Sequence, residues 1–207
     1  PGSHAPIPLE FADIAGSSCG ALLPTGNVVD VVEGVRVTCV DNGMPVVCVA
    51  AADVGLSGTE SPAGIEARAD VLARVEAIRL AAGPLMNLGD VTGKTVPKMS
   101  LLSPPVSGGT VNTRTLIPHR VHEAIGVLGA VSIATACLLP GSVAAGLATE
   151  LAIVGAGADV EVEHPTGFFT VTLDVTDGQV RRAALLRTAR LLMRGEVMVP
   201  SSVWEGP

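Results

Sequence analysis

Aromatic side chains are nearly absent from this chain: three Phe, one Trp and no Tyr in 207 residues. Its core must therefore be filled by Val, Ala, Leu and Ile, with small residues letting elements approach closely. Basic charge is scarce too. Thirteen Lys and Arg face 20 Asp and Glu, for a formal net charge of −7, and the only lysines are Lys94 and Lys98. With no basic stripe for phosphates, nucleic acid is excluded as a partner. An anionic ligand would have to be held by local groups, since the global field does not attract it. Cys19, Cys39, Cys48 and Cys137 form no CxxC and no metal-ligand spacing. No metal is expected, and without a secretory signal at the start, reduced thiols in a cytoplasmic protein are the simplest reading.

A convincing membrane span is also lacking. The run 124–148 carries no charge, but Pro140-Gly141 breaks it and no Trp, Tyr, Lys or Arg anchors its ends. A helix apolar on all sides, buried inside a soluble domain, is expected instead.

What is present reads as mixed strands and helices. The length can bury a real core, as one large or two small domains. Ile7, Leu9 and Phe11 alternate like a strand. Residues 28–54 read as paired strands around Asn42-Gly43, a hairpin signal that would pair Asp41 with Met44 and put Cys39 and Cys48 on one face. "SPAGIEARADVLARVEAIRLAAGP" is the clearest helix: Ser61 caps it, Pro62 opens it and Gly83-Pro84 stops it. Its apolar stripe is Ile65, Leu72, Val75, Ile78 and Ala82. Two strands follow, in "TVPKMSLLSPP" and "GTVNTRTLIPH", and then the apolar helix, beginning near His119. After Pro140-Gly141 a helical or loop segment leads to further strands around 160–175. Asp177-Gly178 is read as their hairpin turn, and a last strand follows a basic turn near the C-terminus. Strands on both sides of helices, without a regular βαβ period, indicate an α+β fold.

Several stretches offer chemistry, each with a plainer alternative. "VGAGADV", 154–160, lacks the third glycine and the following helix of a dinucleotide loop. His119 and His122 lie at i and i+3, one helical face, where the apolar helix would begin. With Arg114 and Arg120 they surround an N-terminus suited to an anion, or simply solvate that end. Lys98 is either a snorkelling edge charge or a carboxylate clamp. "HPTG", 164–167, is a turn. In "GSSCG", Ser17, Ser18 and Cys19 lie between glycines that can form an anion-binding nest, where a thiol would be acidified; equally, Cys19 is a small buried hydrophobe.

"GSSCGALLPTGN", "VDNGMPVV", "AGPLMNLGDVTGKTVPKMSL", "PHRVHEAIGVLGAVSIATACLLPGSVA", "HPTG" and "RTARLLMRGEVMVPSSVW" occur in series. Together they resemble the family of 4-oxalomesaconate tautomerases and 2-methylaconitate isomerases, nearest the tautomerases, from about Ala5 to Trp204. The resemblance implies a diaminopimelate epimerase-like fold, a barrel-like sheet around a central apolar helix at about 124–139. It also implies cofactor-free proton transfer on a small tricarboxylate, converting the keto form of 4-oxalomesaconate to its enol. Family members are longer. The chain, 1–207, is expected to be one domain corresponding to their C-terminal domain, with its last strands belonging to the missing N-terminal domain, where the acid/base pair is expected. Alone it is expected to be inactive or nearly so, and an uncovered cleft face would favour homo-oligomers. The substrate-binding candidates are Ser17, Ser18, Gly20, Thr25, Gly26, Asn27, Lys98, Arg114, His119 and His122. Cys19 is a secondary catalytic candidate. The rival readings are 2-methylaconitate isomerisation and a non-catalytic carboxylate-binding or assembly module.

Overall fold

In the computed structural model, residues 6–151, 157–176, 179–189 and 191–204 are described. Nine strands form one sheet: β1 (Pro6–Ala12), β2 (Asp30–Val32), β3 (Val35–Asp41), β4 (Pro45–Ala50), β5 (Lys98–Ser103), β6 (Val111–Leu116), β7 (Gly157–His164), β8 (Gly167–Thr176) and β9 (Gln179–Thr188). Their spatial order is β1-β9-β8-β7-β6-β5-β4-β3-β2. Every neighbouring pair is antiparallel except β4/β5 and β6/β7. Parallel neighbours need a crossover, and each has a helix in it: α1 (Pro62–Glu66) and α2 (Ala69–Leu85) between β4 and β5, α3 (Val127–Cys137) between β6 and β7. Because β5 and β6 run in opposite directions, two right-handed crossovers must put their helices on opposite faces. Two cores result. Val37, Cys39, Val47, Val49, Met99 and Leu101 pack with α2; Val40, Val46, Cys48, Leu102, Val111, Val160, Val162, Val171 and Leu173 pack with α3. α3 touches β3 and β4 on one side and β7 and β8 on the other, so the sheet bends around it. Gly129–Cys137 are buried throughout, which is why this helix carries no charge on any side. Among the described residues no helix is long and apolar enough to cross a membrane.

Five local expectations change. The apolar helix starts at Val127, not near His119: residues 117–122 instead fold back on β6, with a Leu116–Val121 bridge and Ile117 N–H donating to the Arg120 carbonyl at 2.8 Å. The first helix is split. Ser61 Oγ does cap it, accepting from Gly64 N–H at 3.1 Å, but α1 ends at Glu66 and α2 begins at Ala69. Gly83-Pro84 does not stop α2. The stop is Asn87, at φ 60°, with Leu88 N–H donating to the Gly83 carbonyl and Asn87 N–H to that of Pro84, a Schellman end. Gly83 is there for space: a Cβ on it would lie 2.6 Å from Val91. The hairpin pairs Asp41 with Pro45 and Cys39 with Val47, leaving three loop residues. That one-residue shift puts Cys39 on the α2 face and Cys48 on the α3 face, not together. Asp177-Gly178 lies outside the described residues; Thr176 pairs with Gln179 on either side of it. After β9 no further strand occurs among the described residues, so the expected last strand is absent there: 191–200 form no regular element and are exposed, including Leu192 and Met198.

Buried charges hold the loops. Arg79, fully buried on α2, forms a bidentate pair with Glu76 and donates through Nη1 to the carbonyls of Val91, Lys94 and Val96. It thereby fixes the segment leading into β5. Glu163 accepts from the N–H groups of Val106, Ser107 and Gly109, each at 2.8 Å. Burial alone would raise its pKa, but these three donors and Arg114 outweigh that and hold it below the usual value. The Glu163 contribution is therefore present above the unfolded-state pKa, near 4.3, and is lost as pH falls through the lower folded-state value. Two outcomes are expected in urea titrations. Arg79→Met lowers stability by ~3 kcal/mol, since it strands Glu76 and three carbonyls. Glu163→Gln destabilises at pH 7 but loses most of its effect toward pH 3.

Candidate active site

Local sequence places four groups at one mouth of the sheet, where β5 begins and β6 ends. Alternation along β5 puts Lys98, Ser100 and Leu102 on the α3 face, and along β6 Val111, Thr113 and Thr115. The fold-back after β6 returns His122 beside it, with His122 N–H donating to the Thr115 carbonyl at 2.8 Å. The chain then enters α3, whose N-cap, Gly126, supplies no side-chain cap. The first helical bond runs from Ala130 N–H to the Gly126 carbonyl, so the amides of Val127, Leu128 and Gly129 have no intrahelical acceptor. Between these groups lies a cleft of about 420 Å³, lined by Lys98, Thr115, His122 and residues 126–129, with Met44 and Ile117 as apolar walls.

The electrostatics of the cleft favour an anion. Lys98 is half-buried and, among the described residues, forms no ion pair or hydrogen bond. Burial, and then the charge of Arg79, hold its ammonium below the usual lysine pKa. His122 Nδ1 accepts from Ala124 N–H at 3.0 Å, so the neutral ring carries its proton on Nε2 and is a donor there. A cation, an imidazole N–H and the positive end of a helix can all serve one carboxylate or enolate oxygen. His164, the last residue of β7, has its pKa lowered by burial and by His122 and Arg114 nearby. It is accordingly neutral near pH 7.

The other sequence candidates sit elsewhere. Arg114 is one residue out of phase with Thr115 and lies on the α2 side, with Leu116. Its guanidinium donates to the carbonyls of Glu60 and Thr113 and to Asn112 Oδ1. His119 and His122 do not share a helical face: His119 stands at the exposed tip of the fold-back, 3.8 Å from Glu76. The "GSSCG" nest exists, but the chain fills it. Asp41 Oδ2 accepts from Ser18 N–H and Cys19 N–H, both at 2.8 Å. Gly16 N–H goes to the Asp41 carbonyl, Ser17 N–H to that of Ile14 and Gly20 N–H to that of Gly16. The side chains of Ser17 and Ser18 face solvent. Cys19 is buried, not acidified: burial and then Asp41 push its thiol up to about 12. In the Pro24–Asn27 turn, Thr25 and Asn27 both donate to Asp30, at 2.6 and 2.8 Å, and Gly26 takes the left-handed φ of 78°. Of the candidates, then, Lys98 and His122 meet in the cleft. Thr115 was not among them, and the helix N-terminus suited to an anion is that of α3 at 127–129, not a helix start beside His119. The alternation of "VNTRTL" carries Thr115, but nothing local says which face opens.

Against known proteins, the model of the family described as PrpF protein matches residues 1–200. The chain belongs to the PrpF family. It is 61% identical over 202 residues to the (4E)-oxalomesaconate Delta-isomerase of Novosphingobium sp. (strain KA1), covering 96% of this chain and 56% of that protein. It is 56% identical over 210 residues to the 4-oxalomesaconate tautomerase of Pseudomonas putida, covering 100% and 57%. A crystal structure of methylitaconate-delta-isomerase superposes with a TM-score of 0.85 at 30% identity, covering 95% of this chain and 56% of that one. This PrpF chain thus spans somewhat more than half the length of the relatives it matches.

All four cysteines are buried and free. Burial is the first cause that raises each thiol, Cys39 and Cys137 to about 12 and Cys48 well above its usual value. Iodoacetamide at pH 8 is expected to leave the folded chain unlabelled and to modify all four thiols once urea unfolds it. Rapid modification of Cys19 in the native state, read by mass spectrometry, would contradict its burial.

Proposed function

We propose that this chain contributes one wall of an isomerase active site that moves a proton on an unsaturated tricarboxylate, without a cofactor, converting the keto form of 4-oxalomesaconate to the enol. A base takes a proton from the carbon beside the carbonyl, and its electron pair moves onto the carbonyl oxygen. A proton delivered to that oxygen completes the enol. Charge accumulates on oxygen as the carbon loses its proton, and donors placed there lower the barrier. The observation that carries this reading is the Lys98–His122 cleft at the open N-terminus of α3. It offers localised positive potential in a chain of net charge −7. The names of the relatives support the substrate.

The acid/base pair belongs, on this reading, to the part of the relatives' length that the chain does not match. The bent sheet around α3 fits one half of a diaminopimelate epimerase-like architecture. The apolar residues of 191–204, such as Leu192, Met198 and Trp204, exposed here by 84, 85 and 61%, would pack on that second part. Four buried free thiols fit a reducing compartment such as the cytoplasm.

Turnover of 4-oxalomesaconate, followed by its ultraviolet absorbance, is expected when the chain is co-expressed with the unmatched portion of the Pseudomonas putida relative, and not from the chain alone. In that assembly Lys98→Met should lower kcat/KM by roughly 10- to 100-fold, as for one lost charge-assisted hydrogen bond. An unchanged kcat/KM would remove Lys98 from the site. Turnover by the isolated chain that disappears in Cys19→Ala would overturn the reading and restore that thiol as catalytic.

A further inference from the structure

Ser100 and Thr115 form a buried hydroxyl pair whose hydrogen-bond count does not close among the described residues. They face each other across β5 and β6, with Oγ···Oγ1 at 2.8 Å. Ser100 is fully buried and Thr115 is 3% exposed. Neither hydroxyl has another partner among the described residues. Two hydroxyls carry two donor protons, and one bond between them uses only one. The spare proton is on either Ser100 or Thr115. On Ser100 it would be sealed in, turned toward Cys48, which pairs with Ser100 across β4 and whose sulfur is a weak acceptor. A buried donor without a good acceptor is costly. On Thr115 it opens into the cleft that Thr115 lines with Lys98, His122 and the first turn of α3. The arrangement that avoids an orphan has Ser100 donating to Thr115 and Thr115 donating outward.

We propose that the Thr115 hydroxyl is a substrate-binding donor, aimed by Ser100, for a carboxylate or enolate oxygen held between Lys98 and the α3 amides. This rests on the anion reading of the cleft and adds a residue to it. Ser100 is a positioning residue: it touches no ligand and acts by taking up the acceptor side of Thr115. Such a hydroxyl supplies a donor with no charge to desolvate, and chained hydrogen bonds polarise one another.

The test uses citrate as the probe and the full chain as the protein. Affinity is measured by calorimetry, and the Val127, Leu128 and Gly129 amide signals are followed by NMR. Citrate is expected to shift those three amides. Thr115→Val, which keeps the shape and removes the hydroxyl, should weaken citrate about fivefold, the size of one neutral hydrogen bond. Thr115→Ser should stay within about twofold at a melting temperature similar to that of Thr115→Val, because it keeps the donor. Ser100→Ala should weaken binding by a smaller factor, and that factor should vanish in the Thr115→Val background, as expected for residues acting in one chain. Citrate that shifts the amides equally well with Thr115→Val overturns the hydroxyl proposal and leaves the cleft intact. A Ser100→Ala effect that persists undiminished without the Thr115 hydroxyl overturns the relay. Citrate that shifts none of the three amides overturns both this proposal and the anion reading beneath it.

Discussion

The antiparallel junction of β5 and β6, set between the parallel pairs β4/β5 and β6/β7, is the constraint on which the rest depends. It reverses chain direction in the middle of the sheet. With crossovers of one hand, it sends α2 to one face and α3 to the other. It also brings the start of β5 and the end of β6 to the same edge, where Met99 pairs with Leu116. The chain leaving β6 must turn there before entering α3. The open N-terminus of α3 and the cation at the start of β5 therefore share one mouth. The site follows from strand direction before any side chain is chosen.

Side chains then decide what that mouth holds. The chain spends its other buried charges on its own loops: Glu163 on 106–109, Asp41 on 16–19, Arg79 on 91–96. Each satisfies backbone groups that would otherwise be buried without partners. Asp41 is the instructive case. Its carboxylate occupies the glycine-flanked nest that resembles an anion site, and its second oxygen, Oδ1, is buried with no partner among the described residues. A nest filled in this way has no vacancy for a substrate carboxylate. Lys98 differs because no acidic side chain among the described residues reaches it, and so its charge remains for a ligand.

A core poor in aromatics fits the same plan. α3 must pass through a bent sheet touching strands on both sides, and Ala130, Ala134 and Ala136 let the strands come close. Ser132 and Thr135, polar but fully buried, tie the helix to the 42–44 loop by bonding Asn42 and the Met44 carbonyl. That fixes Met44, one of the two apolar walls of the cleft.

The mixed α+β class, the buried character of α3, the Ser61 cap and the alternating strands are consequences of neighbours in sequence, and they are legible there. So is the singularity of Lys98 in a chain with two lysines. His122 was visible as a residue but assigned to the wrong element, because helical spacing and a tight fold-back look alike over four residues. The hairpin shifted by one because its register answers to the face each residue must cover, and not only to Asn42-Gly43. Arg114 and Thr115 are adjacent in the chain and end on opposite faces, one on backbone carbonyls and one in the cleft. Arg79 is buried only because the loop that it binds folds against it. Sequence by itself determined most of the strands, the small-residue core and the acidic balance. The tertiary structure alone decided which amides are already taken, which face opens to solvent and that Lys98 has no ion pair among the described residues. Those depend on pairings between residues up to about a hundred positions apart, as between Asn42 and Thr135, and no local pattern carries them.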